Sequence, residues 1–147
     1  MQRTLILLKP DCVQRRLIGR IFQRFELKGL RLVALKFLQA DRDLAEKHYA
    51  VHKGKPFYES LLSFLTSGPT VAMVWEGREA VAVGRSLMGL TDGAKSPPGT
   101  IRGDFAISVQ NNLVHGSDSA ENAAIEIALW FPEGVTSYAS TDANWVG

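Results

Sequence analysis

The stretch Asn111-Asn112-Leu113-Val114-His115-Gly116-Ser117-Asp118-Ser119, with the apolar run after it, decides how this chain is read. Two apolar residues carry a histidine to the end of a short strand. A glycine, a polar cluster and a helix signal follow at once. Asp118 and Glu121 are spaced as the first and fourth residues of a capping box. His115 is therefore expected where a strand ends and a helix begins, beside backbone N–H groups that favour anions. A neutral imidazole in that place can attack phosphorus near pH 7.

The helix expected over residues 120–131 is almost wholly apolar, yet Glu126 interrupts its middle. A carboxylate buried there is costly unless a partner or hydrogen-bond donors compensate it. A histidine bonded to it would be held in one tautomer and one orientation. The plainer alternative is a strand-end histidine and a glutamate whose head reaches water.

Outward from this stretch, the chain alternates strands and helices. Thr4 to Lys9 reads as a buried strand stopped by Pro10. Lys9 at its end is either a lysine reaching water or a phosphate-binding cation. Leu17, Ile18, Ile21, Phe22 and Phe25 have helical spacing, with Gly29 as the C-terminal cap. Arg31 to Gln39 has strand texture, and Asp41 caps a short helix through about Tyr49. His48 and His52 have the spacing of two metal ligands on one helix face, but Tyr49 stands where a zincin has glutamate. A solvated, lysine-flanked turn is the expectation there. Lys55-Pro56-Phe57 leads into a helix ending near Ser67, and Phe57 is either a helix-entry staple or an exposed plate for a base.

Thr70 to Trp75 is a second buried strand, followed by a helix from about Glu79 to Met88 that carries Arg85 in its last turns. Residues 89–103 form the longest non-periodic stretch, a length that points to function. Arg85 and Arg102 flank it and could clamp a polyphosphate. The order β-α-β-helices-β-α-β predicts an α+β fold. It is a ferredoxin-like (split βαβ) four-stranded antiparallel sheet covered by helices on one face, with the helices between the second and third strands as an insertion.

Composition sets the outer limits. The 147 residues suit one domain spanning 1–147, and 46% hydrophobic content suits a real core. A net charge of +2 fits anionic small molecules but does not argue for nucleic acid. The lone Cys12 fits a reducing compartment, and the apolar run Leu5 to Leu8 is too short for a signal peptide or a membrane span. A cytoplasmic protein is expected.

Beyond these residue-level readings, the chain resembles the nucleoside diphosphate kinase family. Asn-x-x-His-Gly-Ser-Asp-Ser at Asn112 to Ser119 is similar to the family's active-site signature. Further matches stand at Lys9-Pro10-Asp11, at Tyr49, at Lys55-Pro56-Phe57, at Ser67-Gly68-Pro69 and from Pro98 to Phe105. The resemblance implies transfer of the terminal phosphate of a nucleoside triphosphate, typically ATP, to a nucleoside diphosphate. The route is ping-pong through a phosphohistidine, with broad base specificity, and it maintains NTP and dNTP pools. It implies His115 as nucleophile through Nδ1, oriented by Glu126 with Ser117 in support. Lys9, Tyr49 and Asn112 would surround the transferred group. Arg85, Thr91 and Arg102 would bind the other phosphates, and Phe57, Val109 and Leu61 would form the base slot.

Mg²⁺ would arrive with the nucleotide phosphates, so no protein metal ligand is expected. The tail resembles that of hexameric members, with a tetramer as the alternative. Two positions depart from the family pattern: Asp92-Gly93 replaces the usual Asn-Pro, which puts the rigidity of that loop in question, and Cys12 stands where glycine or alanine is common. The rival readings are a nucleotide-binding scaffold without turnover and a protein-histidine phosphotransfer module. Retention of the histidine and the cations argues against the first, and Phe57 with the two arginines against the second.

Overall fold

The computed structural model describes residues 1–147. Strand β1 (Gln2–Leu8) stops ahead of Pro10, whose fixed φ opens α1 (Pro10–Gln14) with Lys9 as N-cap. The amphipathic α2 (Ile18–Lys28) stops at Gly29, whose φ of 107° lies in the left-handed region that a helix cap of this kind requires. Then follow β2 (Arg31–Gln39) and α3 (Arg42–His48), with the Asp41 side chain accepting from the Leu44 N–H. A 3-10 turn at Ala50–His52 leads to α4 (Tyr58–Leu65), and β3 (Pro69–Gly77) returns through the sheet to α5 (Ala80–Met88). The remaining elements are α6 (Ile101–Phe105), β4 (Val114–Gly116), α7 (Ala120–Trp130) and α8 (Ala143–Val146).

The four strands run in the order β2-β3-β1-β4, every neighbouring pair antiparallel. This is the split-βαβ, ferredoxin-like arrangement expected from the sequence. β1 and β3 lie at the centre, which is why Leu5 to Leu8 and Val71 to Trp75 are unbroken apolar runs rather than alternating ones. β2 is an edge strand with a bulge between Leu32 and Ala34, and its outer face leaves Leu35 and Phe37 exposed.

Helices cover both faces of the sheet, not one. Ile6 and Leu8 pack with Cys12, Ile21, Phe25, Met88 and Ile101, from α1, α2, α5 and α6. Leu5 and Leu7 point the other way, onto Ala45, Leu62, Leu65 and Trp130 of α3, α4 and α7. The insertion between β2 and β3 thus builds, with α7, the second layer. Because β1 is covered on both sides, its C-terminal end and the β4 beside it sit in a frame that cannot shift without moving both cores.

The stretch 89–103 is more regular than the sequence suggests. It holds a 3-10 turn at Gly93–Lys95 and the start of α6, capped by Thr100 onto the Gly103 N–H. Gly93 is required here by close approach: a Cβ would meet the Ala106 carbonyl at 2.6 Å. Asp92 accepts from the Ala94 N–H, so Asp92-Gly93 forms a tied turn.

Candidate active site

His115 is the middle residue of β4, opposite Leu7 of β1. The helix behind it starts one residue later than the capping-box spacing implies. Ser119, not Asp118, is the N-cap and accepts from the Asn122 N–H, while Asp118 accepts from the Asn122 side chain at 2.6 Å. Ser and Asp are equivalent cap formers, and the extended backbone of Ser119 settles which one serves.

Nearly two turns into α7, Glu126 faces back to the histidine. Its two oxygens lie 3.2 and 3.1 Å from His115 Nε2. Ser117 donates to Oε1 at 2.6 Å and itself accepts from the Leu5 N–H at 3.1 Å, which anchors the pair to β1. Burial pushes the Glu126 carboxyl up, but the His115 hydrogen bond and charge, with Ser117 and His48, outweigh burial and hold it below the usual range. An ionised carboxylate only accepts, so it assigns the proton to Nε2 and leaves Nδ1 with a free lone pair.

A second histidine lies in the site, and sequence reasoning missed it. His48 is buried and its ring meets His115 edge-on at 4.5 Å. Its Nδ1 accepts from the indole N–H of Trp130 at 3.1 Å. Burial, then the neighbouring His115, pushes its pKa down to about 3, so it is neutral. Tyr49 packs edge-on against His48, and burial followed by the Glu126 charge pushes its phenol up to about 12, so the hydroxyl stays protonated.

The expectation of a solvated turn therefore fails for His48. α3 ends at this residue, so His52 is carried off the helix face toward Phe57, 5.3 Å ring to ring. Ligand atoms of His48, His115 and Glu126 lie within 4.8 Å of one another, a spacing a metal could use. Hydrogen bonds already engage His48 Nδ1 with Trp130, His115 Nε2 with Glu126, and Glu126 with Ser117.

Three cations converge on residues 112–116. Lys9 Nζ donates to Asn112 Oδ1 at 2.5 Å, and Asn112 Nδ2 donates to the Thr91 carbonyl at 2.9 Å. Burial, with Arg102 nearby, pushes the Lys9 ammonium down to about 8. Arg102 is buried and donates to the carbonyls of Asn112, Gly89 and Val114. Burial and Arg85 push it down to about 10. Arg85 is exposed on α5 and donates to the Gly116 carbonyl at 3.2 Å.

The proposed base-slot residues stand apart from this polar network. Phe57, at the start of α4, and Val109 are exposed, and Leu61 is half-buried on α4. A groove of about 1170 Å³, between residues 26–32, 76–79 and the tail, contains none of the site residues.

Comparison with known proteins agrees with this architecture. A family model described as nucleoside diphosphate kinase matches residues 2–135. A nucleoside diphosphate kinase of Carboxydothermus hydrogenoformans is 56% identical over 147 residues, covering 99% of each chain. Nucleoside diphosphate kinase 1 of Mesembryanthemum crystallinum is 54% identical over 146 residues, again covering 99% of each. Among solved structures, that of a halophilic nucleoside diphosphate kinase from Halobacterium salinarum in complex with CDP superposes with a TM-score of 0.96. It is 47% identical and covers 99% of this chain and 98% of that one. A family protein from Babesia bovis gives 0.96 at 49% identity, with complete coverage of both chains. The matches define the class, a phosphotransferase of nucleotide metabolism. The chain belongs to the nucleoside diphosphate kinase family. No helix is long and apolar enough to cross a membrane.

Proposed function

We propose that the protein transfers the terminal phosphoryl group of a nucleoside triphosphate, typically ATP, to a nucleoside diphosphate by a ping-pong route through His115. The single observation that carries the reading is the grip of Glu126 on His115 Nε2, which leaves Nδ1 as the nucleophile. In the first half-reaction Nδ1 attacks the terminal phosphorus. The bond from that phosphorus to its bridging oxygen breaks, and the diphosphate leaves with the electron pair. In the second, the terminal oxygen of another diphosphate attacks the phosphohistidine and the N–P bond breaks. An N–P bond keeps a high transfer potential, so neither half-reaction falls into a deep well.

Phosphoryl transfer asks the protein mainly for positioning and for positive charge around spread-out oxygens. Lys9, Asn112 and the Tyr49 hydroxyl serve the transferred group. Arg85, Arg102 and Thr91 serve the remaining phosphates, Arg102 chiefly by framing the site and Arg85 with its exposed end. The two half-buried carboxylates here are tied to the protein, Asp11 through one oxygen to the Leu113 N–H and Glu126 to His115 and Ser117. A Mg²⁺ ion therefore fits as a companion of the phosphate oxygens, neutralising their charge, with no resident protein cage.

The base stacks on Phe57 against Val109, flanked by Leu61. Stacking is indifferent to base identity, so the enzyme accepts many bases, which suits maintenance of NTP and dNTP pools. The CDP bound by the Halobacterium relative agrees with such a slot. We further infer one domain over residues 1–147, a cytoplasmic setting and a homo-hexamer. Exposed Leu35, Phe37 and Ile107 are consistent with subunit contact, and solution mass tests the assembly. Initial velocities with ATP and varied diphosphates should give parallel double-reciprocal lines. Intersecting lines would exclude the phosphoenzyme route.

A further inference from the structure

The turn that delivers His115 is strained. Leu113 has φ of 74°, where a bulky residue is an outlier, and the Val114 N–H donates to the Asn112 carbonyl at 2.8 Å. That is a γ-turn of the positive-φ kind, rare because its central residue is strained. Nothing in a leucine favours it, so other groups must hold it.

Those groups lie at the end of β1. The Leu113 N–H donates to Asp11 Oδ2 at 3.1 Å, and the Leu113 carbonyl accepts from the Lys9 backbone N–H at 2.9 Å. Both polar groups of the strained residue are thus taken by the Lys9-Pro10-Asp11 segment. Arg102 clasps the carbonyls on either side, those of Asn112 and Val114. Asp11 Oδ1 is buried and makes no hydrogen bond to the protein. A half-buried carboxylate whose inner oxygen is shut off from water and unbonded is a poor choice for stability alone. Its charge is opposite in sign to Lys9 and Arg102 and works against the burial of both.

We propose that Asp11 is a positioning residue for phosphoryl transfer: it holds the strained turn that sets Asn112 against Lys9 and aims His115, and its charge balances Lys9 and Arg102 behind that turn. This rests on the reading of His115 as the phosphoryl acceptor. Asp11 touches neither nucleotide nor the reacting atoms and acts through Leu113 and the two cations.

The test compares wild type, Asp11→Ala and Asp11→Asn. Asparagine keeps an oxygen for the Leu113 N–H but loses the charge, whereas alanine loses both. Folding is followed by circular dichroism, phosphoenzyme formation from γ-labelled ATP by rapid quench, and nucleotide binding across pH. Misplacement of the turn in Asp11→Ala slows phosphorylation by about 10²-fold, the scale expected for an ångström of misalignment. Asp11→Asn recovers to within about tenfold of wild type. In both variants the loss of nucleotide binding on the alkaline side moves to lower pH. Lys9 faces Asp11 on α1, Arg102 on α6, neutral His48 on α3 and the Asn112 amide, so removing Asp11 removes the anion facing it.

A merely structural aspartate would change the melting temperature and leave that pH limb in place. Variants with wild-type rates and an unmoved limb overturn the inference, as does failure of asparagine to recover the rate. If Asp11→Ala does not fold, Asp11→Asn decides alone: a displaced limb supports the inference and an unmoved one overturns it. No label on the wild type overturns the His115 reading and this inference with it, whereas normal wild-type labelling beside unaffected variants overturns this inference only.

Discussion

Replacing Glu126 by glutamine probes the histidine's tautomer with a near-isosteric change. In the native site the carboxylate accepts from Nε2–H and Nδ1 is bare. Ser117 donates to Oε1, so a glutamine would keep its oxygen there and turn its NH₂ toward Nε2. Nε2 must then accept, the proton moves to Nδ1, and the attacking lone pair is lost. The missing charge-assisted bond alone is worth about 1.5–3 kcal/mol, or roughly 10- to 150-fold in rate. Blocking the nucleophilic nitrogen adds to this, so Glu126→Gln should slow phosphorylation by on the order of 10³-fold. Glu126→Ala, which leaves the ring free to choose its tautomer, should lose only the first part. Rapid-quench measurement of phosphoenzyme at saturating Mg-ATP reads both. A Glu126→Gln enzyme no slower than Glu126→Ala would refute the tautomer argument.

Other consequences concern charge, stacking and the buried histidine. Lys9 is pushed down to about 8 from 10.5, so between those values the unfolded chain binds more protons and stability rises with pH, while the cation that nucleotides need is lost. Lys9→Met should therefore melt higher than wild type near pH 7 and bind nucleotides weakly, and its melting curve should lack the wild-type gain above pH 8; a lower melting temperature at pH 7 contradicts this. Phe57→Ala should weaken binding by about 1–3 kcal/mol for purine and pyrimidine diphosphates alike, read by calorimetry, and a loss confined to one base would count against a stacking slot. Trp130→Phe leaves the buried His48 Nδ1 unpaired and should cost about 1–3 kcal/mol in denaturant unfolding. An unchanged midpoint would show that the bond carries no stability.

Much of this architecture was legible because central strands and amphipathic helices write themselves in hydrophobic periodicity. The β2 bounds, the Gly29 cap and the Asp41 cap follow directly from local chemistry. So do His115 at a strand–helix junction and a partnered Glu126. What failed to show depends on distance or on strain. His48 looks solvated because the residue that buries it, Trp130, lies 82 positions away. The second helical layer is invisible for the same reason: α3 and α4 look like an insertion until α7 packs beside them. Leu113 gives no sign of a positive φ, since the hydrogen bonds that impose it come from Asp11 and Lys9 across the fold. α6 hid among turn residues, two of which, Gly93 and Gly103, are there because a Cβ would run into the backbone of Ala106 and Pro97.

The most direct test of the account is the chemical identity of the phosphoenzyme. Wild type and His115→Ala are incubated with Mg²⁺ and γ-labelled ATP, and the labelled residue is recovered under alkaline conditions and resolved against Nδ1- and Nε2-phosphohistidine standards. Acid-labile label on the Nδ1 isomer in wild type only, discharged by diphosphates of every base, is the result the geometry at Glu126 requires. Label on Nε2, label surviving in His115→Ala, or no label despite nucleotide binding would contradict it.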